Sequence, residues 1–92
     1  MTLVLRGLSL DGEQLSIPLL GRFDERGGEI GRSDNVTFTL PDPQRMISRV
    51  QARVGHDGRG YWIENVSTAG PILHNGRPLS SGMRVGLNAH DE

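Results

Sequence analysis

Apolar residues along this chain recur in short runs of period two, broken every eight to twelve residues by turn-forming residues. Leu3 and Leu5 alternate, Leu8 falls out of step, and Asp11-Gly12 follows as a turn, which predicts an opening hairpin. Leu15, Ile17 and Leu19 share one face of the next run, where Pro18 restricts the strand to a sheet edge or its own end. A polar loop follows around Asp24-Glu25-Arg26-Gly27-Gly28. Beyond it, Glu29-Ile30-Gly31 and Val36-Thr37-Phe38-Thr39-Leu40 are both too short for helices, and Pro41-Asp42-Pro43 forms a rigid loop. Val50, Ala52 and Val54 alternate with Arg49, Gln51 and Arg53 as a half-buried strand. His56-Asp57-Gly58 turns that strand back onto Tyr61-Trp62-Ile63-Glu64-Asn65-Val66. The segment from Gly70 to Leu73 leads to Asn75-Gly76, the strongest two-residue hairpin signal in the chain, and Met83, Val85 and Leu87 close the series. No 3.6-residue periodicity competes with this pattern. The expectation is an all-β, twisted antiparallel β-sandwich of about 9–11 short strands.

Composition narrows the setting. The 92 residues accommodate one domain, spanning 1–92, with one modest core. Thirteen glycines and five prolines supply the turns. With no cysteine there is neither disulfide nor thiolate ligation, and a reducing, cytoplasmic location is expected. No apolar run approaches the roughly 20 residues of a membrane span. A net charge of −1 argues against general affinity for nucleic acid or anionic membrane, so any anion site must be local. All ten basic residues are arginine, whose planar fork suits phosphate, although base composition alone accounts for such a bias.

Catalytic and nucleotide-binding motifs fail on inspection. Gly31-Arg32-Ser33 resembles the end of a P-loop, but lysine and glycine are missing where Arg32 and Arg26 stand. Gly58-Arg59-Gly60 begins a dinucleotide fingerprint whose third glycine is replaced by Ile63, and it sits in a hairpin. His56, His74 and His90 are far apart with no carboxylate at ligand spacing, so neither metal nor cofactor is expected. Ser48 or Ser67 with His56 and Asp57 lacks a nucleophile elbow, so the chain does not read as an enzyme.

Three segments are not accounted for by the sandwich alone: Gly31-Arg32, Ser48-Arg49-Val50-Gln51, and Ser67-Thr68-Ala69-Gly70 with the later Asn75-Gly76. Each lies in or beside a predicted loop, and loops of a sandwich gather at its ends. An arginine, a serine hydroxyl and a threonine hydroxyl converging there suit a phosphate monoester, which carries about −1.5 to −2 charge and three strong acceptors. Arg32 would supply charge-assisted donors and Ser48 a short hydroxyl donor. Taken singly, either is an ordinary loop residue.

Together, Gly31-Arg32, Leu40-Pro41-Asp42-Pro43, Ile47-Ser48-Arg49 with Ala52, Tyr61-Trp62, Ser67-x-x-Gly70 and Asn75-Gly76 resemble the forkhead-associated (FHA) domain, from about residue 28 to residue 87. The run from Phe23 to Arg32, with Leu40-Pro41-Asp42-Pro43, is most similar to the N-terminal FHA module of bacterial type VI secretion system proteins. The resemblance implies an FHA/SMAD-like sandwich that binds phosphothreonine peptides and mediates protein–protein interaction. Its implied partners are a phosphorylated protein and a Ser/Thr kinase or secretion-system component. On the same basis Arg32 and Ser48 hold the phosphate, Arg49 lies near the phosphate or peptide backbone, and Thr68 and Ala69 face the peptide. Gly31, Gln51, Gly70, Asn75 and Gly76 shape or brace the binding loops.

Three departures from the family pattern stand out. Gln51 occupies the place of a bracing histidine and keeps one donor and one acceptor. Ala69 replaces an asparagine that holds the ligand's main chain, a loss on the order of 1–3 kcal/mol. After the region matching Met83 to Leu87, members continue with a further turn and final strand, whereas this sequence ends Asn88-Ala89-His90-Asp91-Glu92, so that strand is expected to be cut short. The alternative these departures leave open is an FHA-fold assembly module with weakened or lost phosphopeptide binding.

Overall fold

A computed structural model describes residues 2–7, 19–41 and 47–92. Nine strands form among them: β1 (Leu3–Arg6), β2 (Leu20–Phe23), β3 (Gly28–Gly31), β4 (Phe38–Thr39), β5 (Ala52–His56), β6 (Tyr61–Asn65), β7 (Ile72–His74), β8 (Arg77–Leu79) and β9 (Arg84–Gly86). They pair as a five-stranded sheet of order β4-β3-β5-β6-β9 and two ribbons, β1-β2 and β7-β8. No described residue is helical, so the all-β expectation holds. One pairing departs from the antiparallel rule: β3 and β4 run parallel, with Ile30 opposite Phe38.

The core follows from period two. On one face of the large sheet Ile30, Phe38, Ala52, Val54 and Tyr61 are buried, and Ile63 packs with them. Phe23 from β2, Leu3 and Leu5 from β1 and Ile72 from β7 cover that face from the ribbon side. The Tyr61 hydroxyl, carried into this core, donates to the Phe23 carbonyl at 3.3 Å, satisfying its polar tip.

The opposite face alternates polar. Arg53, Glu64 and Arg84 stand side by side across β5, β6 and β9. Arg84 Nε and Nη2 donate to Glu64 Oε1 at 3.1 and 2.9 Å. The Trp62 ring lies so close over Gly55 that a Cβ there would meet it at 2.1 Å, and the Arg84 guanidinium sits 3.6 Å from the ring centroid on that same face of the sheet.

Turns form where the dipeptides indicated. Asp57 Oδ1 accepts the Arg59 and Gly60 amides, closing the β5-β6 hairpin, and those two bonds lower the Asp57 pKa. Asn75 and Gly76 have φ of 51° and 80°, the two positive values a type I′ hairpin needs.

Several boundaries shifted. The expected strand over Leu15, Ile17 and Leu19 falls outside the described residues except for Leu19, which is not in a strand; the Asp11-Gly12 turn lies outside them too. The strand that pairs β1 is instead Leu20–Phe23. Its inward positions are Gly21 and Phe23, and a glycine lying against the Phe38 ring carries no apolar signal. The strand expected from Val50 begins at Ala52, because residues 47–50 are drawn into the loop described next.

Candidate functional site

The site begins with a glycine that has no room for a side chain. At the end of β3, a Cβ on Gly31 would lie 2.1 Å from the Arg49 carbonyl oxygen, so the 47–50 loop can cross here only over bare backbone. The crossing is fixed by two main-chain bonds, Arg32 N to Ser48 O at 3.1 Å and Ser33 N to Arg49 O at 3.2 Å. Two residues separated by sixteen positions, Arg32 and Ser48, are thereby placed side by side.

The Arg32 side chain is half-buried and its Nε donates to the Ile47 carbonyl at 3.1 Å. That bond fixes the direction of the guanidinium. Its two terminal nitrogens make no hydrogen bond to a described residue, which leaves the paired edge of the fork available to an anion.

Ser48 is held from behind. Its amide donates to Gln51 Oε1 at 3.2 Å, and Gln51 Nε2 donates to Asn65 Oδ1 at 3.2 Å. Asn65 is completely buried at the end of β6, facing inward in register with Tyr61 and Ile63. Its Nδ2 donates to the Gly70 and Leu79 carbonyls, both at 2.9 Å, while Oδ1 also accepts the Ser67 amide at 3.0 Å. Because both amide hydrogens point at carbonyls, the orientation of the Asn65 side chain is determined, and that of Gln51 follows from it. Ser67, 4% exposed, brings its Oγ to 2.5 Å from Ser48 Oγ and accepts the Ala69 amide at 3.0 Å. Among the described residues no buried side-chain nitrogen or oxygen lacks a partner.

The fold therefore joins Gly31, Arg32, Ser48, Arg49, Gln51, Ala69 and Gly70 in one connected cluster, with Thr68 exposed between Ser67 and Ala69. The Arg49 side chain is exposed and the residue contributes its carbonyl to the crossing. Asn75 and Gly76 are placed differently from the loop-bracing expectation. Asn75 Nδ2 donates to Asp91 Oδ1 at 3.1 Å, and Asn75 Oδ1 accepts the Glu92 amide at 2.9 Å. His74 Nε2 completes this clasp at 2.8 Å from Asp91 Oδ2. At the tip of the β7-β8 hairpin, this pair ties down the C-terminal residues, and none of its hydrogen bonds reaches the Arg32–Ser48 loops.

Asn65 was not among the residues singled out from sequence, and Ser67 was read there as the start of a turn and as a rejected nucleophile. A signal existed for Asn65: it occupies an inward position of a strand otherwise apolar on that face, and a polar residue there needs partners. Among the described residues there is no group of His, Asp or Glu that could hold a metal ion, and no helix long and apolar enough to cross a membrane.

A sequence model of the FHA domain family matches residues 28–92, a stretch that holds β3 to β9 and every residue of the cluster. The chain belongs to the FHA domain family. FHA domains are interaction modules that bind phosphothreonine-containing peptides. No curated protein and no solved structure matches the chain at a significant level. The strands β1 and β2 precede the matched region, and in this FHA domain they cover the core face of the large sheet.

Proposed function

We propose that this FHA domain captures a phosphothreonine peptide on the surface formed by Arg32, Ser48 and the 67–70 turn, and performs no catalysis. The observation that carries the reading is the pairing at the Gly31 crossing. A guanidinium whose terminal nitrogens bond no described residue stands beside a serine hydroxyl whose loop is pinned by three other residues. Donors fixed before the ligand arrives lose little entropy on binding, and charge-assisted bonds to a dianionic phosphate are about twice as strong as neutral ones. Thr68 and Ala69 lie where the peptide would run, and Arg49 beside the phosphate. By resemblance, the domain serves in the cytoplasm as an accessory component of a type VI secretion system under Ser/Thr kinase control.

The test is titration calorimetry with matched phosphothreonine, phosphoserine and unphosphorylated peptides drawn from an oriented library. The phosphothreonine form is expected to bind best, and Arg32→Ala or Ser48→Ala to abolish the difference from the unphosphorylated peptide. Equal binding of all three by the unaltered domain would refute the reading.

One observation favours a second reading. The Ala69 amide is already committed to Ser67 Oγ and its methyl side chain donates nothing, so no side chain there grips the ligand's main chain. An FHA fold used for phosphate-independent assembly accommodates this. Under that reading Arg32→Ala leaves partner capture intact.

A further inference from the structure

The Ser48–Ser67 contact has a direction that can be worked out by accounting for hydrogens. Ser67 Oγ accepts the Ala69 N–H on one lone pair. Its own hydrogen has a single oxygen within reach among the described residues, Ser48 Oγ at 2.5 Å. Were Ser48 the donor, the hydroxyl hydrogen of Ser67, a residue only 4% exposed, would have no acceptor among the described residues, an arrangement that buried hydroxyls avoid. The Ser67 hydroxyl therefore donates to Ser48 Oγ, which frees the hydrogen of Ser48, a half-exposed residue, for another acceptor. Donation into Ser48 also polarises its O–H bond, which strengthens the bond that hydrogen makes onward.

We propose that Ser67 is a positioning residue for phosphate recognition, which, without touching the phosphate, holds the Ser48 hydroxyl in its donating orientation. This rests on the phosphothreonine reading above. It goes beyond the family resemblance, which assigned Ser67 no role, and it names the upstream end of a directed chain. Asn65 Oδ1 fixes the Ser67 amide, Ser67 Oγ–H fixes Ser48 Oγ, and Ser48 Oγ–H meets the ligand.

Two measurements test it. In a double-mutant cycle of phosphothreonine-peptide affinity, Ser67→Ala is expected to weaken binding about threefold to tenfold in the unaltered background and less than about twofold in the Ser48→Ala background. Ser67→Thr, which keeps the hydroxyl, should restore most of the affinity. Equal losses in the two backgrounds would mean that Ser67 acts through the Ala69 turn alone, and would overturn the proposal. The second measurement needs no variant. In nuclear magnetic resonance of the free domain, a hydroxyl proton protected from exchange should show cross-peaks to the Ser67 β-protons as its own residue; assignment of that proton to Ser48 would reverse the direction and overturn the proposal. If the unaltered domain does not distinguish phosphorylated from unphosphorylated peptide, the functional reading fails and the positioning role with it, a result separate from either outcome of the cycle.

Discussion

Asn65 offers the sharpest test of how the site is supported. Replacing it by alanine removes a partner from four groups: Gln51 Nε2, the Ser67 amide, and the Gly70 and Leu79 carbonyls. Gly70 is exposed and Gln51 half-buried, so water can reach those two. Ser67 is 4% exposed and its amide has no such recourse, whereas the buried Leu79 carbonyl keeps its place opposite Ile72 in the β7-β8 ladder. At about 1–3 kcal/mol for the buried amide left without a partner, and about 0.5–1 kcal/mol for each of the three other bonds lost, the loss is about 2–6 kcal/mol, with about 3–4 the central expectation. A chain of 92 residues has about 5–14 kcal/mol of stability in total, so this single change removes a large share. With a urea slope of about 1–1.5 kcal/mol per molar for a domain this small, the unfolding midpoint should fall by roughly 2–4 M. Gln51→Ala is the internal comparison. It removes one of the two bonds to Asn65 Oδ1 and the acceptor of the Ser48 amide, and should cost only about 1 kcal/mol. A midpoint for Asn65→Ala within about 0.5 M of the unaltered domain, or equal losses for the two variants, would refute the network as drawn.

Three further outcomes are expected. Gly31→Ala, whose Cβ would meet the Arg49 carbonyl at 2.1 Å, should push the 47–50 loop off β3, costing about 1–3 kcal/mol by thermal unfolding and weakening phosphopeptide binding with it; unchanged stability and affinity would deny the crossing its role. The Asp91 carboxyl is lowered from 3.8 to about 2, chiefly by the His74 side chain and then by the Asn88 amide and Asn75. Because the folded value is the depressed one, the C-terminal clasp contributes in full above about pH 4 and is lost as the pH falls through about 2. The Asn75 and Glu92 amide resonances should report a midpoint near the lower value, and a midpoint near the ordinary carboxylate value would show that the clasp does not hold Asp91. Ala69→Asn, by returning a side-chain donor and acceptor to the peptide-facing turn, should tighten phosphothreonine-peptide binding by about one decade in calorimetry, and no gain would mean that the turn does not face the ligand.

The strands that sequence makes legible are those with a residue worth burying at every second position. Val54 and Ala52 on β5, and Tyr61 and Ile63 on β6, carry the alternation in full, and their hairpin closes on the Asp57-Gly58 turn as expected. Strand β2 was missed because one of its two inward residues is Gly21, whose contribution is to leave space for Phe38 rather than to bury itself. The site divides along a similar line. Arg32 and Ser48 are visible because their side chains have the chemistry of an anion site. Asn65 and Ser67 act through neighbours, and their side-chain partners come from three stretches, 48–51, 65–70 and Leu79, brought together only by folding. Asn75-Gly76 combines the two cases: its turn geometry was readable from the dipeptide, whereas the Asn75 side chain's attachment to Asp91 and Glu92 depends on where residues 88–92 pass in the fold.

The crossing over Gly31 also bears on how such a domain can change. Since Arg32 and Ser48 are registered to each other by two main-chain bonds, and Phe38 of the connection between them is buried in the core, their spacing is set at the crossing and not by the path the chain takes between. Substitutions in that connection that spare Phe38 would leave the Arg32–Ser48 pair in place. The spacing of the pair thus rests on one residue with no side chain.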